Sequence, residues 1–563
     1  MKGFSGLSLP NQQPKHRDLC LPRAPVLPTL MDPRAIRPES LADDARTETH
    51  ARRCRALKRL VELGHLDAND GDASDDDAND ATTASTSPSR DVALLVDLDA
   101  LSTSARLLQR DAGFPANTMH TFAVKANPCE GVLRAFRALG FGAEVASLGE
   151  LEAALSAGFP PDQVVFDSPC KTRRELKRAL TAGVRVNLDS LAEIERVAAL
   201  LDGTSWGREI QRRWEQQQEV EDEATAAAVA PVIGVRVNPQ VGAGSIAALS
   251  TSTDDSKFGV PILPEEGGGV GGERAALAAA FARHSWLRAL HLHVGSQGVP
   301  LEAVAEGAAR AWQFWRDLRL PAGRWLLAFD VGGGTPVDFS SDAEYARAPP
   351  FAELARLLRE RVPELWEGAE GGVNAPPPPL LITENGRALV AKAGCVAARV
   401  EYVKHQRGDD GEDGEEDEQP PRRKRRPIAV VHAGADLLMR ACYLPQQWSL
   451  RLFVVDGATF SPRELQASPP RLLLQDVAGP LCFQGDRLAV ARLLPALKEG
   501  DWVVVADAGA YTLSMWSHYN SRQSPCVWGY RGGGGEEGRE LEMKLLRRGD
   551  TIGEVVGFWA VER

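Results

Sequence analysis

The chain has 563 residues, of which 25% are charged and 43% are hydrophobic, as in ordinary globular proteins with two or three domains. A formal net charge of −12 argues against general binding to nucleic acids or anionic membranes, and no apolar run approaches the roughly 18 residues that span a bilayer. The 8 cysteines lack the spacing of metal-binding motifs, so we expect free thiols in the cytoplasm and no metal site.

Residues 1–90 are predicted to form a disordered acidic tail. The stretch DANDGDASDDDAND, which starts at residue 67, has almost no large apolar side chain and cannot offset the entropy cost of folding. Residues 1–31 are basic, but their prolines would interrupt the amphipathic helix of an organelle transit peptide. We therefore expect a disordered leader, with a transit peptide as the less favoured alternative.

Eight short apolar runs alternate with helical patterns between residues 121 and 386. In chain order the runs are TFAVKAN, GAEVAS, VVFDSP, VRVNLDS, VIGVRVNP, RALHLHVGS, WLLAFDVGGG and LLITENG. Segments between them, such as TRRELKRALTAG, have helical periodicity and end at a glycine that can cap a helix. This alternation predicts an α/β domain, a closed parallel (β/α)8 TIM-like barrel, which we place at residues 91–394.

After residue 394 the pattern changes to short strands with little helix between them. The strand candidates are AVVHAG, LRLFVVDG, RLLLQDVAG, DWVVVADAGAYT and EVVGFWAVE. They predict an antiparallel β-barrel or sandwich over residues 395–563. Low-complexity inserts interrupt the folded part at 214–231, 264–274 and 406–427. The last insert is predicted to be disordered, and a nuclear localisation signal in its basic half is less favoured.

Polar residues stand at the ends of the predicted barrel strands, where the chemistry of such barrels is located. They are Lys125, His293, Ser296, Asp330 and Glu384. Taken singly, Lys125 fits a surface charge and His293 fits a core histidine, so only the complete set favours a site. The glycines of DVGGGTP, from residue 330 to residue 336, would let backbone N–H groups approach a phosphate.

A lysine beside a phosphate-binding turn can hold an aldehyde cofactor as a Schiff base. A carboxylate at Glu384 could then face a pyridine nitrogen and keep it protonated. Pyridoxal 5′-phosphate satisfies the demands of the amine, the glycine turn and the carboxylate together. The sequence therefore predicts a pyridoxal-phosphate site.

A series of motifs between residues 92 and 563 resembles the motifs of a known family. They include FAVKAN, GAEVASLGELEAALSAG, HLHVGSQ, DVGGG, ENGR, GPLCFQGD and DAGAYTLSMWSHYN. Their order resembles that of the fold-type III pyridoxal-phosphate decarboxylases, the family of diaminopimelate, ornithine and arginine decarboxylases, and is closest to the diaminopimelate decarboxylases. The resemblance implies conversion of meso-diaminopimelate to L-lysine and carbon dioxide, as in lysine biosynthesis.

The resemblance also implies a role for each matching residue. Lys125 would form the Schiff base, His293 would stack on the cofactor ring, and Glu384 would pair with the ring nitrogen. The cofactor-binding set is completed by Ser296, Gly332, Gly333, Gly334, Arg387 and Tyr511. The substrate-binding set is Arg387, Arg440, Tyr443, Phe483 and Tyr511. Cys482 would return a proton to the substrate carbon, across the interface of a homodimer with shared active sites.

Three positions depart from the family pattern. Asn385 replaces a proline, and Leu444 stands where a tyrosine is expected, with Tyr443 one position earlier. Phe483 replaces an acidic residue that binds the distal amine of the substrate, and phenylalanine cannot accept a hydrogen bond from an ammonium group. The alternatives are a decarboxylase of a substrate lacking a distal ammonium, an amino-acid racemase, and a catalytically dead regulatory homologue.

Overall fold

The structure is a computed structural model that describes residues 43–67, 87–218, 231–264, 272–318, 320, 324–343, 349–367, 377–404, 426–466, 472–532 and 540–561. Two sheets and the helices around them organise these residues. No helix among them is long and apolar enough to cross a membrane.

Eight parallel strands close into a barrel. In spatial order they are Arg185–Leu188, Val164–Asp167, Gly142–Val145, Thr118–Ala123, Leu380–Asn385, Ala328–Asp330, Leu287–His291 and Ile233–Asn238. The last strand pairs with the first, which closes the sheet, and the two-residue strand Val260–Pro261 extends from it. The predicted barrel is confirmed, since each of the predicted runs overlaps one of these strands.

Helices follow the barrel strands. They are Glu130–Ala138, Leu148–Ser156, Arg173–Ala182, Leu191–Gly203, Ser205–Gln218, Glu273–Arg283, Leu301–Asp317, Phe351–Arg361, Glu364–Glu367 and Arg387–Val390. Ser147, Thr172 and Ser190 each accept a hydrogen bond from a backbone N–H of the first helical turn, which fixes three of the helix starts. Gly183, with a φ of 86°, ends the helix Arg173–Ala182 as predicted.

The second sheet is built from C-terminal strands and one strand that precedes the barrel. Its strands are Val92–Asp97, Gly394–Lys404, Ile428–Val431, Leu452–Val455, Leu472–Ala478, Arg487–Pro495, Trp502–Val505, Cys526–Arg531 and Glu542–Arg547. Most neighbouring strands are antiparallel, as predicted, but Val92–Asp97 runs parallel to Cys526–Arg531, and Ile428–Val431 runs parallel to Leu472–Ala478.

The strand Val92–Asp97 corrects the predicted domain boundary at residue 91. It pairs with Gly394–Lys404 on one side and with Cys526–Arg531 on the other. It is therefore an inner strand of the second sheet and no part of the barrel. The helix Leu98–Arg106 and a π-helical turn, Leu107–Asp111, connect it to the first barrel strand.

Residues 43–67 are folded, although their composition predicts a disordered tail. The helix Glu48–Glu62 begins at Thr47, whose side chain accepts from the backbone N–H of His50. Leu57 and Leu60 are fully buried and share an apolar cluster with the second sheet. The prediction is wrong for these residues because the neighbouring acidic stretch dominates the composition and hides a short amphipathic helix. Residues 1–42 and 68–86 of the predicted tail lie outside the described residues.

The segment EVVGFWAVE forms most of a helix, Ile552–Trp559, and not the predicted strand. Thr551 and Glu554 form a capping box at its start. A short apolar run fits a strand or a helix equally well, and this helix start carries the information that the run lacks.

A further short helix, Met439–Tyr443, also lies in the C-terminal domain. Most of each predicted insert lies outside the described residues, at 219–230, 265–271 and 405–425.

Candidate active site

Lys125 lies in a 3₁₀ turn, Val124–Ala126, directly after a barrel strand. Its Nζ donates to both carboxylate oxygens of Glu144, at 2.5 Å each. The lysine side chain is 39% exposed, whereas that of Glu144 is fully buried. Burial disfavours the ammonium form, but Glu144 and Glu384 outweigh it and raise the pKa of Lys125. The amine is therefore held in place by one buried carboxylate and remains within reach of a small molecule.

The triple glycine Gly332–Gly334 forms a tight turn against two neighbouring backbone segments. A Cβ at Gly333 would lie 2.0 Å from the carbonyl oxygen of Glu384, and one at Gly334 would lie 1.9 Å from that of Gly295. Gly332 and Gly334 have φ values of 68° and 102°. Glycine is therefore required by both close approach and left-handed backbone, as expected for a turn that cradles a phosphate.

His293 and Ser296 lie beside this turn. The backbone N–H of Gly333 donates to His293 Nδ1 at 3.1 Å, so this nitrogen carries no proton and the ring has a fixed orientation. Burial lowers the pKa of His293 to about 3, which keeps the ring neutral. The Cα of Ser296 would lie 3.4 Å from a Cβ at Gly334. Both residues thus border the turn, and their roles in cofactor binding stay predictions.

Glu384 is buried with one oxygen facing a histidine. Its Oε2 lies 3.5 Å from Nε2 of His291. Its Oε1 has no hydrogen-bond partner among the described residues. Burial opposes ionisation, but His291 outweighs it and lowers the pKa of Glu384. An ionised carboxylate with a free oxygen at the barrel mouth is the acceptor that a protonated ring nitrogen needs.

Sequence reasoning missed several charged residues around Glu384. His291 Nδ1 faces Asp167 Oδ1 at 3.4 Å, and Arg236 Nη1 lies 2.9 Å from Asp167 Oδ2. Ligand atoms of His291, Asp330 and Glu384 lie within 4.8 Å of one another. Because both ring nitrogens of His291 face carboxylates, we interpret this group as an ion-pair cluster. The available signal was charged residues inside otherwise apolar strands, as in GAEV, VVFD and VIGVRVN.

Two arginines meet at the aromatic rings of Tyr511 and Trp448. The guanidinium carbons of Arg387 and Arg440 lie 4.4 and 4.6 Å from the centre of the Tyr511 ring, and 4.7 and 4.9 Å from that of Trp448. Arg387 Nε and Arg440 Nη1 are buried without a hydrogen-bond partner among the described residues. Burial lowers the pKa of Arg387 to about 10 and also lowers the pKa of Arg440. Two cations with free donors in such a position can bind an anion.

The loop that carries Tyr511 reaches from the second sheet to the turn of Lys125. The backbone N–H of Tyr511 donates to the carbonyl oxygen of Ala126 at 2.8 Å. The side chain of Asn127 donates to the carbonyl oxygen of Gly509 at 3.0 Å. Tyr511 has a φ of 55°, which is unusual for a residue with a large side chain. The second sheet thus contributes directly to the site at the barrel mouth.

Cys482, Phe483 and Tyr443 lie together in an exposed cluster. The ring of Phe483 stacks on Tyr443 at 5.4 Å and meets the edge of Tyr519 at 6.3 Å. Cys482 is exposed, and its backbone N–H donates to Asn520 Oδ1 at 2.9 Å. The Tyr443 side chain is 58% exposed. For these residues to act as predicted, the cluster must meet an active site from outside, as in a shared interface.

Asn385, one of the departures from the family pattern, links two parts of the site. Its Oδ1 accepts from the hydroxyl of Thr335 at 2.8 Å. The strand that carries Glu384 is thereby tied to the segment that follows the triple glycine. Leu444, a second departure, is 45% exposed and follows Tyr443 in the chain.

These residues fit pyridoxal 5′-phosphate. The Lys125 side chain is partly exposed, Glu384 Oε1 has no hydrogen-bond partner among the described residues, and the glycine turn leaves no room for a Cβ. These groups converge at the carboxyl ends of barrel strands, where a loop from the β domain joins them. The fold and the site together define a pyridoxal-phosphate enzyme built on a (β/α)8 barrel.

Comparison with known proteins identifies the family. A family model described as the pyridoxal binding domain of the pyridoxal-dependent decarboxylases matches residues 102–391. The diaminopimelate decarboxylase of Pseudomonas aeruginosa is 33% identical over 403 residues, which cover 71% of this chain and 78% of that protein. That of Pseudomonas fluorescens is 32% identical over 402 residues, with the same shares. The chain belongs to the pyridoxal-dependent decarboxylases, and it is an enzyme whose cofactor is pyridoxal 5′-phosphate.

Solved structures support the fold. The crystal structure of diaminopimelate decarboxylase from Helicobacter pylori complexed with L-lysine matches with a TM-score of 0.59 at 22% identity, and the match covers 83% of this chain and 96% of that chain. The predicted family, fold class, enzyme class and cofactor are thus confirmed.

Proposed function

We propose that the protein is an α-decarboxylase that converts meso-diaminopimelate to L-lysine and carbon dioxide in lysine biosynthesis, or that acts on a related amino acid with a distal carboxylate. The observation that supports this most directly is the pair Arg387 and Arg440 at the Tyr511 ring. Buried guanidinium groups with free donors suit a carboxylate far better than an uncharged side chain. The similarity to diaminopimelate decarboxylases supports the same substrate class.

The residues of the barrel mouth would hold the cofactor in defined ways. Lys125 would carry it covalently, Glu384 would accept the N–H of its ring, and neutral His293 would stack on the ring. Its phosphate would lie on the turn Gly332–Gly334, with Ser296, Arg387 and Tyr511 around it. When bound, pyridoxal phosphate supplies an electron-accepting ring for the electron pair that departing carbon dioxide leaves.

The same proposal includes a homodimer with shared active sites in the cytoplasm. Cys482 would enter the site of a second copy and return a proton to the substrate carbon. The surface around it is apolar, because Val556, Phe558 and Trp559 are 55%, 60% and 61% exposed. The ring of Phe558 stacks on His518 at 4.2 Å, close in sequence to Tyr519 of the cysteine cluster. Exposed apolar patches of this kind are typical of protein interfaces.

A second candidate substrate follows from Phe483. This ring stacks on Tyr443 and offers no acceptor for a distal ammonium group, which would be left without a partner if buried there. A decarboxylase of an amino acid that lacks this group would avoid that loss. A racemase is less favoured, because such enzymes pair the ring nitrogen with a basic residue and this chain has Glu384. A dead homologue is less favoured, because Lys125, the glycine turn and Tyr511 are present.

Carbon dioxide release from a panel of amino acids tests the proposal. Purified protein with added pyridoxal phosphate is assayed with meso-diaminopimelate, lysine, ornithine, arginine and α-aminoadipate, and Lys125→Ala is the control. Strong preference for diaminopimelate supports the first candidate. Preference for α-aminoadipate over diaminopimelate supports the substrate class suggested by Phe483, since this acid keeps the distal carboxylate and lacks the distal ammonium. No release from any of them, with cofactor bound at Lys125, would contradict decarboxylation.

A further inference from the structure

His291 lies fully buried at the end of the barrel strand Leu287–His291, between two acids. Its Nδ1 faces Asp167 Oδ1 at 3.4 Å, and its Nε2 faces Glu384 Oε2 at 3.5 Å. Both distances are longer than a well-formed hydrogen bond, so we treat the contacts as ion pairs. Neither ring nitrogen has any other partner among the described residues.

These two contacts favour one protonation state of the ring. A neutral imidazole has a proton on one nitrogen and a lone pair on the other. If His291 were neutral, its lone pair would point at one of the two carboxylates. Only the doubly protonated imidazolium presents an N–H to both Asp167 and Glu384. The contacts themselves therefore favour a buried cation.

The other charged groups around the His291 ring, taken together, also favour its protonated form. Asp330, on the strand Ala328–Asp330, adds a third acid, while Arg236 lies 2.9 Å from Asp167 and opposes a second positive charge. Burial also disfavours the imidazolium. Asp167, Glu384 and Asp330 outweigh these effects and raise the pKa of His291 well above its usual value.

The neighbouring acids Glu384 and Asp330 are affected in opposite directions. Burial and the nearby Glu384 raise the pKa of Asp330 well above its usual value, whereas His291 lowers that of Glu384. Asp330 is also fixed, because its Oδ1 accepts the backbone N–H of Gly332 at 2.9 Å. Two acids in one cavity do not ionise equally. The contact with His291 selects Glu384 as the ionised one.

We propose that His291 is a positioning residue: it stays protonated, holds Glu384 as a carboxylate by its Oε2, and leaves Oε1 free for the ring N–H of the cofactor. The inference rests on the role of Glu384 in the proposed function. His291 itself contacts acids of the barrel and is not assigned a contact with the substrate. Its effect on the reaction would pass through Glu384 alone.

Nitrogen-15 NMR of histidine-labelled, cofactor-free protein tests the charge directly and needs no substrate. The His291 signals, identified by their loss in His291→Gln, should show a doubly protonated ring throughout pH 6–9. Burial lowers the pKa of His293 to about 3 and that of His120 to about 4, so these rings serve as neutral internal controls. A neutral His291 ring at pH 7 would overturn the proposal.

Removal of one acid provides a second test that keeps the histidine. Asp167→Asn should bring the titration of His291 to lower pH, because the ring loses one of the two carboxylates that favour its charge. Asp162→Asn is the matched control, because Asp162 lies in the turn Pro161–Gln163 just before the strand that carries Asp167. This variant should leave the titration of His291 unchanged. An unchanged His291 titration in Asp167→Asn would contradict the assignment.

The holoenzyme tests the consequence for Glu384. In His291→Gln the acid loses its cationic partner, so its pKa rises and the active carboxylate form appears only at higher pH. The expected kcat falls about tenfold for each unit by which that pKa exceeds the assay pH, and it recovers as the pH is raised. A merely structural defect would lower kcat equally at all pH values, which would count against the proposal. Were decarboxylation absent in the unmodified protein too, only the proposed function would fail, since the NMR result stands by itself.

Discussion

Lys125 and Glu144 form an ion pair at the site. The carboxylate is fully buried, so its position depends on the lysine, and the lysine in turn is held where a cofactor aldehyde can reach it. Lys125 lies in the turn directly after the strand Thr118–Ala123, and Glu144 lies on the neighbouring strand, Gly142–Val145. Their contact is a property of the barrel and cannot be inferred from either motif alone.

Replacing Lys125 by alanine should abolish cofactor attachment. We expect protein mixed with pyridoxal phosphate and then desalted to show an absorbance band near the visible edge, and Lys125→Ala to lack it. Lys177→Ala, on an exposed position of the helix Arg173–Ala182, is the matched control and should keep the band. Persistence of the band in Lys125→Ala would remove the covalent assignment.

Gly333→Ala should weaken cofactor binding without unfolding the barrel. The added Cβ would lie 2.0 Å from the carbonyl oxygen of Glu384, so the turn must move. We expect the dissociation constant for pyridoxal phosphate, measured by fluorescence titration, to rise about tenfold or more, which corresponds to about 1.4 kcal/mol. Gly203→Ala is the control, since a Cβ at Gly203 meets nothing within 4 Å. Equal affinities for the two variants would contradict a cradle at this turn.

At the residue scale, sequence reasoning found the residues that stand at strand ends and missed those that act through pairs. Lys125, His293 and Glu384 could be found because a barrel brings its strand ends together. Glu144 and His291 acquire their meaning only from side chains on other strands. Trp448 follows the altered segment that ends at Leu444 and belongs to no motif that could mark it.

At the scale of elements, the helix Glu48–Glu62 fastens the N-terminal segment to both sheets. Arg53 pairs with Asp342 at 2.7 Å, and Asp342 also pairs with Arg451 at 2.9 Å. Arg451 reaches Asp44 at 2.9 Å and Asp507 at 2.8 Å. All of these charged side chains are buried. The network joins the helix, the segment after the glycine turn and the loop that leads to Tyr511.

Arg53→Met should therefore destabilise the protein strongly. Removing one partner of a buried pair costs about 3–5 kcal/mol, and we expect the lower end because Arg451 still contacts Asp342. Urea unfolding measures the change. Arg59→Met on the same helix is the matched control. Its expected loss is below about 1 kcal/mol, because Arg59 and its partner Glu62, 3.4 Å away, are both partly exposed to solvent. A similar loss for both variants would contradict the network.

The ion pair between Arg53 and Asp342 predicts how the free energy of unfolding depends on pH. Burial opposes ionisation of Asp342, but Arg53 and Arg451 outweigh it and hold its pKa well below the usual range. A lowered folded pKa contributes stability above the unfolded pKa, about 3.9 for aspartate, and this contribution is lost as the pH falls further. The difference in unfolding free energy between wild type and Arg53→Met should stay constant from pH 8 to pH 5 and shrink below about pH 4. If the difference already shrinks at pH 6, the pH dependence belongs to a titratable group other than Asp342.

The sequence predicts the wrong element where the composition of neighbouring residues, or the shortness of an apolar run, outweighs the signal of a helix start. The composition places Glu48–Glu62 in an acidic tail, and the run EVVGFWAVE, which overlaps the helix Ile552–Trp559, predicts a strand. In both cases the helix start has an N-cap threonine, Thr47 or Thr551, that could have been recognised. The barrel strands were found because their alternation with helices repeats along the chain.

At the scale of the whole molecule, the proposed sharing of active sites between two copies predicts complementation. Lys125→Ala and Cys482→Ala should each be nearly inactive. When they are mixed and allowed to exchange subunits, half of the dimers combine one copy of each, and each of these has one intact site of two. We expect about a quarter of the wild-type kcat per site. No recovery, with subunit exchange verified by mass spectrometry, would contradict a site built from both copies.

The placement of Val92–Asp97 has a consequence for dissecting this protein into fragments. The strand enters the second sheet before the barrel begins, and its neighbours come from after the barrel ends. A recombinant piece cut after residue 394 would retain this apolar strand with both edges bare, and such edges recruit other chains. The complementary piece would have a gap in its sheet. Chimeras that exchange the barrel must therefore cut twice, once after residue 97 and once before residue 394, and leave both ends of the chain with the sheet they build.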